Sequence, residues 1–105
     1  MSIDLEKLFS QMKGWEKELQ EAQERLKRMT VEVSYGGGAI KVVANGHQLI
    51  NEISLHPDLV RSEEPGVLGR LIASTVNDAL MKSREMIASE VGNLLGGTLP
   101  PFPKF

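Results

Sequence analysis

The sequence predicts an α+β fold, in which one long helix precedes a three-stranded antiparallel sheet and a second long helix follows it. Three observations support this class: a 3.5-residue hydrophobic period at the start of the chain, a two-residue period in the middle, and a helical period again towards the end. The 105 residues are enough for one domain. We expect that domain to span residues 1–97, with a Pro- and Phe-rich tail over 98–105.

The first helix is predicted over residues 4–29. Its apolar side chains recur at alternating intervals of three and four residues, the spacing of a coiled-coil seam. These side chains are Leu5, Leu8, Met12, Trp15, Leu19, Ala22, Leu26 and Met29. One alternative role for Trp15 is insertion between bases, because architectural DNA-binding proteins insert apolar side chains in this way. Because Trp15 lies on the seam, however, we interpret it as a packing residue.

The sheet is predicted to contain strands 30–36, 39–44 and 47–55, joined as a meander. Apolar and polar residues alternate along them, which indicates strands with one buried face. Three consecutive glycines at the first junction favour a turn, because glycine adopts positive φ without steric cost. Asn45-Gly46 at the second junction is a strong hairpin signal.

The second helix is predicted over residues 63–95, with Ser62 as its N-cap. The acids and the proline that follow suit a first helical turn, where acids interact favourably with the helix dipole and proline is tolerated. An acidic connector over 57–66 is expected to join the sheet to this helix.

The predicted helices are longer than the sheet between them. A helix of about 26 residues extends about 39 Å, whereas a strand of about six residues extends about 20 Å. One protomer cannot bury all this apolar surface, so we expect an oligomer, with a twofold dimer as the default. The strand residues expected to pack in the core or at the dimer interface are Val31, Val33, Tyr35, Ile40, Val42, Leu49 and Ile53.

The composition excludes several classes of protein. With 41% hydrophobic and 25% charged residues the chain is not a disordered one, and it has no apolar run long enough to span a bilayer. It has no cysteine, so neither a disulfide framework nor a thiolate metal site is possible, and a cytosolic location is permitted. The net charge of −2 and the pI of 5.7 do not indicate a strongly basic nucleic-acid binder.

No pattern in the sequence indicates catalysis, so we expect no enzyme, no cofactor and no metal. His47 and His56 lie nine residues apart without a third ligand nearby. The three glycines at 36–38 are not followed by the Lys-Ser/Thr of a phosphate-binding loop. No nucleophile and base, and no pair of carboxylates, can be argued from spacing alone.

The best local basic cluster consists of Arg25, Lys27 and Arg28 near the end of the first helix. These cations could contact phosphates. Alternatively, Arg25 and Arg28 could pair with the glutamates four residues before them and complement the helix dipole. Further cations that could face a duplex are Lys7, Lys13, Lys17, Lys82 and Arg84.

Several short motifs, in order along most of the chain, resemble the YbaB/EbfC family of nucleoid-associated DNA-binding proteins. They follow a charged first helix that contains Met and Gln. The matching residues are Gly38, Ile40, Val42, Asn45, Gly46, Ile53, Leu55, Pro57, Leu71, Ile72, Asn77, Asp78, Ala79, Gly96, Gly97, Thr98, Leu99 and Pro100. The chain departs from the family pattern at His56, where an acid is common, and in its Pro-Pro-Phe-Pro ending.

The resemblance implies a small cytoplasmic bacterial protein, associated with the nucleoid, that forms a homodimer through its sheets. Its long helices would project as paired arms. It would bind double-stranded DNA with little sequence preference, alter the DNA conformation and influence gene expression. The alternative is a protein–protein interaction module that uses the helical arms and the tail, with weak or no DNA binding. The acidic pI favours this alternative.

Overall fold

The computed structural model describes residues 4–94 and confirms the α+β fold class. Its elements are α1 (Leu5–Arg28), β1 (Thr30–Tyr35), β2 (Ile40–Asn45), β3 (Ile50–Leu55), α2 (Pro57–Ser62) and α3 (Pro65–Leu94). The predicted tail over 98–105 lies outside the described residues. Within 4–94, no helix combines the length and the apolar character that crossing a membrane requires.

Helix α1 agrees with its predicted span to within one residue at each end. The carboxylate of Asp4 accepts a hydrogen bond from the backbone N–H of Lys7 at 3.2 Å and so caps the helix. At the other end the backbone becomes extended at Met29, and the chain passes directly into β1. Only Ala22 and Leu26 of the seam are buried. The rest of the fold therefore covers the seam only near the sheet.

The sheet has the order β1-β2-β3, with both pairs antiparallel. Its register places Val33 opposite Val42, and Val42 opposite Ile53, so these apolar side chains share one face. The turn between β1 and β2 is a short 3-10 segment of three glycines with φ values of 61°, 67° and 98°. Only glycine adopts such values readily, which confirms the predicted role of this run.

The third strand begins at Ile50, three residues later than predicted. The side-chain oxygen of Asn45 accepts the backbone N–H groups of His47 at 2.8 Å and Leu49 at 3.2 Å. Residues 46–49 consequently form a wider turn than the two-residue hairpin expected there, and the positive φ falls on Gln48. Leu49, expected on a strand, therefore lies in this turn and is 59% exposed.

The predicted connector contains a helix of its own, and the prediction of Ser62 as an N-cap was wrong. Pro57 starts α2 because its fixed φ suits a first helical position, and the ring Nδ1 of His56 accepts the backbone N–H of Asp58 at 3.1 Å. Ser62 is the last residue of α2. Helix α3 begins only at Pro65, two residues later than predicted.

The core lies between α3 and one face of the sheet. Ile40, Val42 and Ala44 alternate along β2 and are fully buried together with Ala79 of α3. Helix α3 packs mainly on β1 and β2. The apolar face of β3 is covered less well, and Ile53 is 43% exposed.

The protein is elongated, with extents of 73 × 24 × 20 Å. Helices α1 and α3 run antiparallel to each other. Arg25 meets Glu90 towards the sheet, and Leu94 lies beside Trp15 and Leu19 further out. Beyond that point α1 continues to Leu5 past the last described residue of α3. The result is a helical arm that projects from a small α+β body.

Candidate nucleic-acid interface

Three cations of α1 share one exposed face, which we call the basic stripe: Lys13, Lys17 and Arg28. At about 100° per residue they fall within about 60° of one another, and they extend over about 22 Å of the helix. The stripe lies about 160° around the helix from Trp15, hence opposite the apolar seam. None of its members takes part in an ion pair within residues 4–94.

The remaining α1 cations lie on other faces. Lys7 and Lys27 are exposed but flank the basic stripe rather than belong to it. Glu21 and Glu24 lie on the same side as the stripe and offset part of its charge. The arm therefore presents a surface of mixed charge, and only three of the six candidate cations of α1 share one face.

Arg25 has a structural partner that was not predicted. Its Nε and its terminal nitrogen each lie 3.1 Å from Oε1 of Glu90 on α3, rather than beside Glu21. The Glu90 side chain is only 18% exposed. This charge-assisted contact ties α1 to α3 and leaves Arg25 less available to phosphates than the basic stripe.

Lys82 and Arg84 lie on α3, away from the basic stripe. The Nζ of Lys82 donates to the backbone oxygen of Glu32 on β1 at 3.4 Å. It borders a shallow pocket with Glu32, Asp78 and Glu85, so its surroundings are acidic. Arg84 is exposed on a different face of α3.

Arg70 was missed in the sequence analysis. It is exposed and lies 14 residues before Arg84, which places the two cations on nearly the same face of α3, about 21 Å apart along the axis. Asn77 lies between them, one heptad from each. The seven-residue spacing was the available signal for this second exposed face.

The arm is joined to the body at the turn between β2 and β3. The backbone N–H of Gly46 donates to the carbonyl oxygens of Leu26 at 2.8 Å and Met29 at 3.1 Å. The ring Nε2 of His47 lies 2.9 Å from the backbone oxygen of Gln23. The hydroxyl of Ser83 on α3 donates to the carbonyl of Asn45 at 2.6 Å. One turn thereby holds both long helices and sets the direction of α1.

Replacing Ser83 with alanine is expected to lower the free energy of unfolding by about 1–2 kcal/mol, because the buried Asn45 carbonyl loses its hydroxyl donor. Thermal or urea unfolding followed by circular dichroism measures the change. Ser89→Ala, at an exposed position on the same helix, is the matched control and should differ from wild type by less than about 0.5 kcal/mol. Equal losses in the two variants would contradict this role for Ser83.

The expected packing residues of the strands divide into two groups. Ile40 and Val42 are fully buried inside the protomer, and Val31 and Val33 are half-buried against the same core. The others keep 43–59% of their surface exposed: Tyr35, Leu49 and Ile53. Only this second group is available to a partner without repacking the core.

Within residues 4–94, no three His, Asp or Glu side chains are grouped as metal ligands would be. His47 contacts α1, and His56 caps α2. Both histidines thus have structural contacts in the fold.

Comparison with known proteins extends these observations. The YbaB/EbfC DNA-binding family matches residues 1–98. A nucleoid-associated protein of Acetivibrio thermocellus is 38% identical over 94 residues, which cover 90% of this chain and 83% of the relative. One from Pelotomaculum thermopropionicum is 37% identical over 101 residues, 96% of each chain.

A solved structure shares the fold. The uncharacterized protein HP0035 from Helicobacter pylori superimposes with a TM-score of 0.77 at 22% identity, covering 90% of this chain and 100% of the other. The family match spans nearly the whole chain, including α1, the sheet and α3. The chain therefore belongs to the YbaB/EbfC family of DNA-binding proteins.

Proposed function

We propose that this protein is a non-enzymatic, cytoplasmic nucleoid-associated protein that binds duplex DNA as a homodimer with little sequence preference. It alters the conformation of the DNA and thereby influences gene expression. The observation that carries the proposal is the basic stripe, which projects from the body on an exposed helix in a chain whose relatives are named nucleoid-associated proteins.

Lysine and arginine side chains on an exposed helix suit phosphates rather than base edges. Phosphate contacts supply most of the affinity of nonspecific binding, and they carry no direct sequence information. The stripe is about 22 Å long, so it can follow several phosphates of one duplex. Lys7, Lys27 and Arg84 would add outer contacts, whereas Arg25 and Lys82 are engaged within the protomer.

A dimer would bring two basic stripes to one duplex. Among the described strands, β1 and β3 are the edges of the sheet, and the exposed apolar side chains Tyr35, Leu49 and Ile53 lie on or next to them. A second copy that covers these side chains would pair with the free backbone N–H and C=O groups of an edge strand and would bury apolar surface. Twofold symmetry would then point two arms away from a common sheet.

The alternative function is a protein–protein interaction module. It is favoured by the exposed apolar side chains along α1 and by the net charge of −2. An unidentified protein partner would then bind through the arms and the tail, and DNA binding would be weak or absent. Apolar contacts of this kind depend little on salt, which separates the two functions.

The proposal predicts steeply salt-dependent binding of a random-sequence duplex. With six stripe cations in a dimer, the affinity is expected to fall by about a thousandfold between 50 and 200 mM salt. The affinity is measured by fluorescence anisotropy of a labelled duplex of about 30 bp, which is long enough to contact both stripes. Light scattering on the same sample gives the mass. An absence of binding at 50 mM salt would overturn DNA binding, and a monomer mass would overturn the dimer.

A further inference from the structure

The outer part of the α1 seam has no cover within residues 4–94. Five large apolar side chains along it are 46–68% exposed, although a helix that projects alone into water needs no such apolar surface. We call them the outer seam: Leu5, Leu8, Met12, Trp15 and Leu19. They extend over about 21 Å of the helix.

The end of α3 lies directly beside this surface. Leu94, the last described residue, borders a shallow pocket with Trp15, Glu18 and Leu19. Because α3 runs antiparallel to α1, a chain that leaves Leu94 in the same direction travels along the outer seam towards Leu5. From Trp15 to Leu5 this distance is about 15 Å.

We propose that residues 95–105 dock in an extended conformation along the outer seam and cover it. These eleven residues include four large apolar side chains, at positions 95, 99, 102 and 105, together with three prolines. An extended Pro-rich chain advances about 3.1 Å per residue, so about five residues already span the 15 Å to Leu5. The prolines lower the conformational entropy that docking must overcome.

Charge distinguishes this occupant from a second copy of α1. The charged positions that flank the outer seam directly are Glu16 and Glu18, one on each side. A homotypic pair of α1 helices offers no cation to these carboxylates at the flanking positions, which weakens such a pairing. The only charged side chain of the tail is the cation of Lys104, whereas a second α1 offers no cation at the flanking positions.

Trp15 is the sole tryptophan of the chain, so its fluorescence shows whether the outer seam is covered or exposed to solvent. The test compares wild type with a variant carrying Leu99→Ser, Phe102→Ser and Phe105→Ser. Removing three apolar anchors is expected to lower the ratio of docked to undocked tail by about a hundredfold or more. Trp15 emission should then shift to the red, and acrylamide should quench it more strongly.

The matched control is Val60→Ser with Met81→Ser, two exposed apolar residues away from the outer seam, and it should leave the emission unchanged. Wild-type emission should also be independent of protein concentration. An unchanged spectrum in the tail variant would overturn the proposal. A wild-type spectrum that shifts to the red on dilution would overturn it as well, because a second copy would then be the cover.

A cross-link gives an independent measurement, since the native chain has no cysteine. Oxidation of a Met12→Cys, Leu99→Cys variant should form a disulfide within one chain, which is seen as a monomer band in non-reducing electrophoresis. A disulfide between chains, or none under conditions that oxidise a control dithiol, would overturn the proposal. The outcome does not depend on DNA binding.

Discussion

Replacing Lys13, Lys17 and Arg28 together with glutamine is expected to weaken binding to duplex DNA by at least about a hundredfold at 0.1 M salt. Each phosphate contact contributes a factor of about eight under these conditions, through release of one condensed counterion. The three side chains are exposed on one face of α1, so their replacement should leave the fold intact. Anisotropy titrations at several salt concentrations also give the salt slope, which should become shallower by about one for each phosphate that the variant can no longer bind.

The control removes the same amount of charge elsewhere. The control variant carries Lys41→Gln on the sheet, Arg61→Gln on α2 and Lys82→Gln beside the β1 edge. Each of these cations has a contact within the protomer. This variant should lose less than about tenfold in affinity if the basic stripe is the binding surface, since only long-range steering is changed. Equal losses in the two triple variants would show that bulk charge, and not the stripe, determines binding.

Gly46→Ala is expected to lower the free energy of unfolding by about 3 kcal/mol or more. A Cβ at this position would lie 2.7 Å from the carbonyl carbon of Leu26 and 2.8 Å from its Cα, so the α1 backbone would have to move. That movement would also weaken the hydrogen bonds from Gly46 to Leu26 and Met29, worth about 1 kcal/mol each. For a domain of this size we expect a fall in Tm of about 12 °C or more.

Gly69→Ala provides the matched comparison. It makes the same substitution on the exposed surface of α3, where an added Cβ meets nothing within 4 Å. Alanine favours a helix interior by about 1 kcal/mol over glycine, so this variant should be slightly more stable than wild type. Both variants must be measured at one protein concentration, because dimerisation would make Tm depend on it. A Gly46→Ala protein as stable as wild type would contradict the close packing of this turn against α1.

The order of the elements was predictable because it depends on periodicity. The seam of α1, the alternation along β1 and β2 and the period of α3 are all properties of short windows of sequence. The turn after β2 was not fully predictable. Asn45-Gly46 correctly marked a reversal of the chain, but the Asn45 side chain holds a longer turn, so β3 begins at Ile50. Helix α2 was not predicted because it is short: six residues make fewer than two helical turns, too few to show a hydrophobic period.

The role of Gly46 illustrates the same limit. In a two-residue hairpin, glycine would be favoured at position 46 because it readily adopts a positive φ. Here, however, Gln48 is the turn residue with a positive φ. What Gly46 provides is the absence of a side chain where the backbone of α1 approaches. No local pattern announces that approach, because Leu26 lies twenty residues earlier on another element.

The candidate interface likewise has features that the sequence predicts and contacts that only the tertiary structure determines. The amphipathic character of α1, with an apolar seam opposite Lys13, Lys17 and Arg28, follows from the sequence, because positions along one helix fix their own angular relation. The pairing of Arg25 with Glu90, 65 residues away, and of Lys82 with the Glu32 backbone, 50 residues away, was decided by the tertiary structure. Such contacts form only when separate elements meet in space, and periodicity within one element carries no information about which neighbour it will meet.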